Sequence, residues 1–146
     1  MKCNSLRFII LILIISCSCN SSLSSQVSNN KLDIIITKNL RVEAALELAT
    51  GDLSNTLKNL FEIETSLRTE MDLERAAPNS IFVIKIDDDL WQEKLTNKFG
   101  IVKPLLSEDG FVIKKINYNE KPMILISGNG VRGTSYGIFH FIEELN

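Results

Sequence analysis

The sequence predicts a small α/β (α+β) domain, a mixed β-sheet with helices packed on it, in the order β-α-β-(α)-β-β-α. Three observations predict this fold. The chain has 146 residues, 45% of them hydrophobic and 23% charged, which is typical of one globular domain. Short β-branched runs alternate with stretches whose apolar residues recur every three or four positions. All three cysteines lie in the first 20 residues, which excludes a disulfide or a thiolate metal site within the remaining chain.

The first 16 residues are predicted to be a secretory signal peptide and not part of the fold. Lys2 and Arg7 precede an unbroken apolar run over residues 8–15. As a helix this run rises only about 12 Å, which is too short to cross the roughly 30 Å hydrocarbon core of a bilayer. A basic start, a short apolar segment and small residues after it are typical of a secretory signal.

Cys17 follows the residues Ile-Ile-Ser, and this segment resembles a bacterial lipobox. The resemblance implies that Cys17 is acylated, becomes the first mature residue and anchors the protein to the bacterial cell envelope, in the outer membrane or facing the periplasm. Cys19 fits less well, because Ser16 would occupy its aliphatic position. The alternative is a plain signal peptide with an incidental Cys17. Residues 17–30 are uncharged and rich in Ser and Asn, which predicts a flexible tether.

Residues 31–146 are predicted to form the globular domain, which begins with a strand and a long helix. Residues 32–37 are a β-branched run typical of a buried strand. Asn39 is a candidate cap for the helix that follows. The apolar residues of this helix form one stripe, made of Val42, Ala45, Leu46, Ala49, Leu53, Leu57, Leu60 and Phe61. Gly51 lies off the stripe, so we expect one continuous helix weakened at this position.

The middle of the domain is predicted to complete a βαβ unit and to add a short helix. Residues 69–79 are polar and predict a loop, and residues 80–86 predict a second buried strand. Strand, long helix and strand form a right-handed unit with parallel strands. A second, weaker helix is predicted over residues 90–99, and Gly100 ends it.

A hairpin and a last helix complete the predicted domain. Residues 110–118 and 122–127 predict two strands joined by a polar turn. The last helix is predicted over about residues 131–145. Its apolar residues spread over much of its circumference: Tyr136, Ile138, Phe139, Phe141, Ile142 and Leu145. Either a second apolar side contacts another domain or subunit, or the helix lies at the centre of a compact domain.

Gly128, Gly130 and Gly133 match the G-x-G-x-x-G fingerprint of dinucleotide-binding folds, after a strand and at the start of a helix. Glycines let backbone N–H groups approach a pyrophosphate there. The fingerprint also needs an acidic residue about 20 positions further on, whereas only 13 residues follow Gly133. The sequence therefore favours the alternative, a tight turn and a glycine where the helix packs closely on the sheet.

Two further groups are candidates for chemistry. Asp87-Asp88-Asp89 resembles a hard-cation site in composition, but its spacing is not that of a calcium loop, and helix capping explains it more simply. His140 is the single histidine, and Ser127 and Ser135 lie in no nucleophile motif, so we expect His140 to pack at a helix surface or at a domain contact. We predict no catalytic residue, no metal site and no cofactor. A net charge of −2 gives no electrostatic reason to expect nucleic acid.

The C-terminal segment, residues 127–145, resembles a known family. It consists of a strand, a glycine-containing turn, a short motif and a hydrophobic helix, and the motif residues are Arg132, Gly133, Thr134, Tyr136 and Gly137. This pattern resembles the end of the small N-terminal α/β domain that precedes the catalytic barrel in α-glucuronidase-type glycoside hydrolases of families 67 and 115. Similar segments precede the barrels of family 20 β-hexosaminidases. Residues 108–113 and 42–60 resemble a strand and the long first helix of those domains.

The resemblance implies a non-catalytic accessory domain of a secreted, membrane-anchored hydrolase that acts in xylan degradation. In these families the catalytic carboxylates lie in the following (β/α)8 barrel, which needs about 200 residues or more. We therefore expect a truncated or split enzyme, a free-standing relative or a fragment, whose partners are a catalytic barrel and a membrane. The alternatives are a carbohydrate-binding lipoprotein, in which Tyr136 and Trp91 stack on sugars, and a structural envelope protein.

Overall fold

A computed structural model describes most of the predicted domain, namely residues 31–38, 43–69, 78–86, 89–100, 107 and 109–146. The predicted signal peptide and tether, with Cys17, lie outside the described residues. The described elements, in chain order, are β1 (Lys31–Ile36), α1 (Ala44–Phe61), β2 (Glu64–Thr69), β3 (Ser80–Lys85), α2 (Asp89–Phe99), β4 (Phe111–Tyr118), β5 (Lys121–Gly128) and α3 (Gly130–Leu145).

The strands form one mixed sheet in the order β2-β1-β3-β5-β4. β1 pairs in parallel with β2 and with β3, and β3 pairs in parallel with β5. β4 and β5 form the predicted antiparallel hairpin. Its two turn residues, Asn119 and Glu120, both have positive φ, as a type I′ turn requires. The predicted fold class, a small mixed sheet covered by helices, is confirmed.

The predicted element order was wrong in one respect, because it lacked β2. This strand follows α1 and pairs with β1 along its whole length, from Glu64 opposite Lys31 to Thr69 opposite Ile36. The first βαβ unit therefore ends at β2, and β3 pairs with the other side of β1. None of the six residues of β2 is fully buried. The strand therefore carries no hydrophobic signal in the sequence.

The sheet is covered on both faces, which produces two hydrophobic cores. The first lies under α1 and α3 and contains Ile34, Ile36, Leu46, Ala49, Leu53, Leu57, Ile63, Ile81, Val83, Ile124, Ile126, Ile138, Phe141 and Leu145. The second lies under α2 and contains Ile35, Phe82, Ile84, Ile86, Trp91, Phe99, Ile116, Tyr118, Met123 and Leu125. Burial on both sides explains the continuous apolar runs of the central strands.

Helix α1 is continuous through Gly51, as predicted. It begins at Ala44 after Glu43, whereas the predicted cap, Asn39, lies outside the described residues. Its end is an αL cap, in which Glu62 has a left-handed conformation and donates its N–H to the Lys58 carbonyl at 3.0 Å. The next N–H, from Ile63, bonds the Leu57 carbonyl at 3.3 Å, and the chain turns directly into β2.

Replacing Gly51 with Ala is expected to raise the free energy of unfolding by about 1 kcal/mol. A Cβ at this helical position would meet nothing within 4 Å. The substitution therefore adds helix propensity without a steric cost. Urea unfolding followed by circular dichroism measures the change. Destabilisation would contradict a continuous α1.

Helix α2 ends where the sequence predicts, at Phe99, because Gly100 has a φ of +65°. The Lys114 ammonium, on β4, donates a 2.6 Å hydrogen bond to the Phe99 carbonyl. A cation at the last carbonyls of a helix also interacts favourably with its dipole. This contact joins α2 to the hairpin.

Candidate functional site

The family-like motif lies where β5 passes into α3. Gly128 ends the strand, Asn129 precedes the helix and Gly130 has a φ of +64°. A Cβ on Gly128 would lie 2.1 Å from the Thr134 backbone nitrogen and 2.2 Å from the Gly133 carbonyl carbon. The first turn of α3 therefore sits directly on the end of the strand, and only glycine fits there.

The other motif glycines also lie at close approaches. A Cβ on Gly133 would lie 2.7 Å from the Gly110 carbonyl oxygen. On Gly137 it would lie 3.0 Å from a methyl of Ile126 and 3.2 Å from Cβ of Phe111. The glycines thus bring the helix close to its own sheet and loop. This geometry agrees with the packing alternative, a tight turn followed by glycines where the helix packs closely on the sheet.

Hydrogen bonds hold the start of α3 to the loop that precedes β4. The Asn129 N–H donates to the Gly110 carbonyl at 2.9 Å, and the Asn129 side-chain amide donates to the Ser107 carbonyl at 3.2 Å. The buried Thr134 hydroxyl donates to the Gly130 carbonyl at 2.7 Å. The two Asn129 bonds join the start of α3 to the loop before β4, whereas the Thr134 bond lies within the first turns of α3.

Three polar or aromatic side chains of α3 point away from the sheet. Arg132 forms an ion pair with Asp109, and both side chains are exposed. Tyr136 is 47% exposed. His140 lies at the helix surface, its ring 5.3 Å from the Phe111 ring. His140 therefore sits among surface groups rather than in a buried catalytic arrangement.

The apolar residues of α3 are largely covered by the domain itself. Ile138, Phe141 and Leu145 are buried in the first core, and Phe139 and Ile142 pack against it. Among the large apolar side chains of this helix, Tyr136 is the exposed one. The domain itself therefore covers most of the apolar side chains of α3.

Trp91 is not a sugar-stacking residue, and this expectation was wrong. The side chain is 5% exposed and belongs to the second core. It packs edge-to-face on Phe82 at 4.9 Å between ring centroids, and the Lys94 ammonium lies 4.4 Å from its centroid. Of the two suspected stacking residues, only Tyr136 presents its ring to solvent.

Asp33, Ser66 and Arg68 form a polar cluster that the sequence analysis missed. Asp33 is 6% exposed on β1 and accepts a hydrogen bond from the Ser66 hydroxyl. Nε of Arg68 lies 3.0 Å from the other carboxylate oxygen. Ser66 and Arg68 both lie on β2, so the cluster could not be predicted from a sequence analysis that did not predict this strand. The available signal was an aspartate inside a β-branched run.

Replacing Arg68 with Met is expected to destabilise the domain by about 2 kcal/mol, because it leaves the buried Asp33 carboxylate without its counter-ion. The expected loss of stability is smaller than for a fully buried ion pair, because the Arg68 side chain is 39% exposed. Asp33→Asn, the matched control, leaves the charge on the more hydrated partner and is expected to cost about half as much. Urea unfolding compares the two. Equal losses would contradict this asymmetry.

No helix within the described ranges is long and apolar enough to cross a membrane. In that same part of the chain, no three His, Cys, Asp or Glu side chains are grouped to hold a metal ion. Asp87 and Asp88 of the acidic run lie outside the described residues.

The motif of α3 lies within a segment of the chain that matches a known protein family. The model of the family described as "Glycosyl hydrolase family 67 N-terminus" matches residues 20–141. The match covers β1 to β5 and most of α3, with the glycine contacts described above. A search of curated proteins found no match. The resemblance to the domain that precedes the barrel of α-glucuronidase-type hydrolases is confirmed, and the chain belongs to the glycosyl hydrolase family 67 N-terminus family.

Proposed function

We propose that this chain serves as the non-catalytic N-terminal domain of a secreted, membrane-anchored α-glucuronidase-type hydrolase that acts on xylan. The match of residues 20–141 to the family 67 N-terminus carries the proposal. Glycoside hydrolysis needs two carboxyl groups that flank the scissile bond. Asp33 is held inside the sheet by Ser66 and Arg68, and Asp109 is paired with Arg132. Both carboxylates thus have structural partners, in agreement with a packing or positioning role.

Hydrolysis assays test the non-catalytic assignment. The purified chain is incubated with aldouronic acids and with aryl glycosides, beside an intact α-glucuronidase as the positive control. We expect no release of glucuronic acid or aryl alcohol by the chain alone. Turnover that increases in proportion to the amount of the purified chain, and that persists after repurification, would contradict the proposal.

The proposed partner is a catalytic (β/α)8 barrel, as a domain or a separate subunit. Affinity purification of the tagged protein from its native host tests this. Under the proposal, α-glucuronidase activity is present in the purified material. A stable complex of envelope proteins without such activity would instead favour the structural alternative.

Replacing Cys17 with Ser is expected to abolish lipid attachment. Acyl chains contribute about 0.8 kcal/mol per buried CH₂, so a multiply acylated cysteine holds a protein on a membrane. Labelling with radioactive palmitate and membrane fractionation measure the loss in a bacterial host. Cys19→Ser, the matched control, is expected to keep the label. Labelling that survives in the Cys17 variant would favour the plain signal peptide.

A second candidate function, carbohydrate binding, rests on the exposed ring of Tyr136. Exposed aromatic faces are suited to stacking on the apolar faces of sugars. Affinity electrophoresis in gels that contain xylan or chitin oligomers separates the two functions. Retardation of the chain that Tyr136→Ala removes would favour carbohydrate binding. Unretarded migration agrees with a purely packing role.

A further inference from the structure

The chain has a single Asn–Gly pair, Asn129–Gly130, and it lies at the junction between β5 and α3. Asparagine before glycine is prone to deamidation in an unfolded chain, because glycine has no side chain to shield its backbone nitrogen. A Cβ on Gly130 would meet nothing within 4 Å, so the described domain does not shield this residue either. A chemically reactive pair therefore stands where α3 packs on the sheet.

Deamidation of this pair is a reaction between two neighbouring residues and water. The Gly130 backbone nitrogen attacks the side-chain carbonyl carbon of Asn129 and forms a nitrogen–carbon bond. The bond to the side-chain amide nitrogen breaks, and ammonia leaves with the proton of the attacking N–H. Water then opens the resulting succinimide ring at either of its two carbonyls. The product is an aspartate or, when the chain continues through the former side chain, an isoaspartate.

The folded domain holds the reacting atoms of this pair apart. Asn129 has φ −79° and ψ 112°, and this extended ψ turns the next backbone nitrogen away from Cβ, whereas ring closure needs the two on the same side. The Asn129 side-chain amide donates to the Ser107 carbonyl at 3.2 Å. Rotation about ψ is opposed by the hydrogen bond from the Gly133 N–H to the Asn129 carbonyl, at 3.2 Å. The attack therefore requires the junction to open.

The two products differ in whether they fit the closed junction. Isoaspartate lengthens the backbone by one carbon between β5 and α3. The junction has no room for this, since even a Cβ on Gly128 would lie 2.1 Å from the Thr134 nitrogen. Aspartate leaves the backbone unchanged and is a favoured residue before a helix, where its charge also interacts well with the helix dipole. Isoaspartate is therefore the product that prevents closure.

We propose that Asn129–Gly130 is a deamidation site that the packing of α3 keeps unreactive. The reaction occurs only while the β5–α3 junction is open, and isoaspartate at position 129 then prevents the junction from closing again. Each reversible local opening thus carries a chance of irreversible loss of the folded domain. The lifetime of the domain depends in this way on how firmly α3 is held to the sheet.

Peptide mapping by mass spectrometry measures the reaction at Asn129 in the full chain. The protein is incubated in mildly alkaline buffer, with and without urea. Deamidation at this position is expected to be at least about tenfold slower in the folded protein, because only the open fraction reacts. Asn119, which precedes Glu120, is the internal control and is expected to stay intact in both samples. Equal rates at Asn129 with and without urea would overturn the proposal.

A substitution within α3 tests whether the junction controls the rate. Gly137→Ala crowds Ile126 and Phe111 but is expected to leave the domain folded. It is expected to speed deamidation of Asn129 about fivefold, because it weakens the packing of α3 on the sheet. Gly51→Ala, the matched control on α1, is expected to change the rate less than about twofold. An unchanged rate in folded Gly137→Ala would overturn control by the junction.

Refolding tests the consequence of the modification. The chain is deamidated in urea and refolded, and the compact monomer is isolated by size-exclusion chromatography. Isoaspartate at position 129 is expected to be depleted at least about tenfold from this monomer, relative to the aspartate product. Asn129→Asp, the control, is expected to refold like the wild type. Isoaspartate and aspartate in equal proportions in the refolded monomer and in the starting material would overturn the irreversible loss.

Discussion

Replacing Gly128 with Ala is expected to leave little or no folded domain, with a loss of about 4 kcal/mol or more. The new Cβ would lie 2.1 Å from the Thr134 nitrogen and 2.2 Å from the Gly133 carbonyl carbon. Both are backbone atoms, so no side-chain rotation relieves the clash and α3 must move off the sheet. Far-ultraviolet circular dichroism and urea unfolding measure the loss.

Gly137→Ala is the matched control for this prediction. Its Cβ would lie 3.0 Å from the Cγ2 methyl of Ile126 and 3.2 Å from Cβ of Phe111. A shift of a few tenths of an ångström relieves these side-chain contacts, and the expected cost is about 1 kcal/mol. Gly133→Ala, with its Cβ 2.7 Å from the Gly110 carbonyl oxygen, is expected to fall between the two. A Gly128→Ala variant as stable as the wild type would contradict the close packing of α3 on the end of β5.

Trp91→Ala is expected to cost about 3–5 kcal/mol, which is the range for truncating a large aromatic residue in a core. The indole is almost fully buried and packs against Phe82, and the Lys94 side chain lies beside it. Its removal leaves a cavity between α2 and the sheet. Chemical unfolding, followed by circular dichroism because the single tryptophan is lost, measures the change.

Tyr136→Ala is the matched control, since it truncates an aromatic residue that is half exposed on α3. Its effect on stability is expected to stay within about 0.5 kcal/mol. The two substitutions thus separate a core aromatic residue from a surface one. A Trp91 variant as stable as the wild type would show that α2 does not cover the second face of the sheet.

The elements with strong apolar patterns could be predicted from sequence, and the weakly patterned one could not. β1, α1, β3, β5 and α3 each bury a continuous run or stripe. β2 buries no residue fully and is held by its pairing with β1. Pairing of this kind depends on a strand distant in sequence, so local periodicity does not reveal it.

The site was predictable to the extent that it depends on local geometry. Gly128 and Gly133 could be assigned to a close helix–sheet contact, because the pattern places a turn between a strand and a helix. Trp91 was misassigned to the surface, although Trp91, Leu95 and Phe99 recur at spacings of four and so mark one apolar face of this helix in the sequence. The pairing of Asp33 with Arg68 required β2, and so could not be anticipated.

Strand β4 affects how readily the domain aggregates at high protein concentration. Among the described strands it has one neighbour, β5, so its other side carries unpaired backbone groups. Lys114 and Lys115 lie in its middle, and successive residues of a strand point to opposite faces. An incoming strand would therefore meet positive charge above and below. This arrangement discourages the growth of edge-to-edge aggregates through β4.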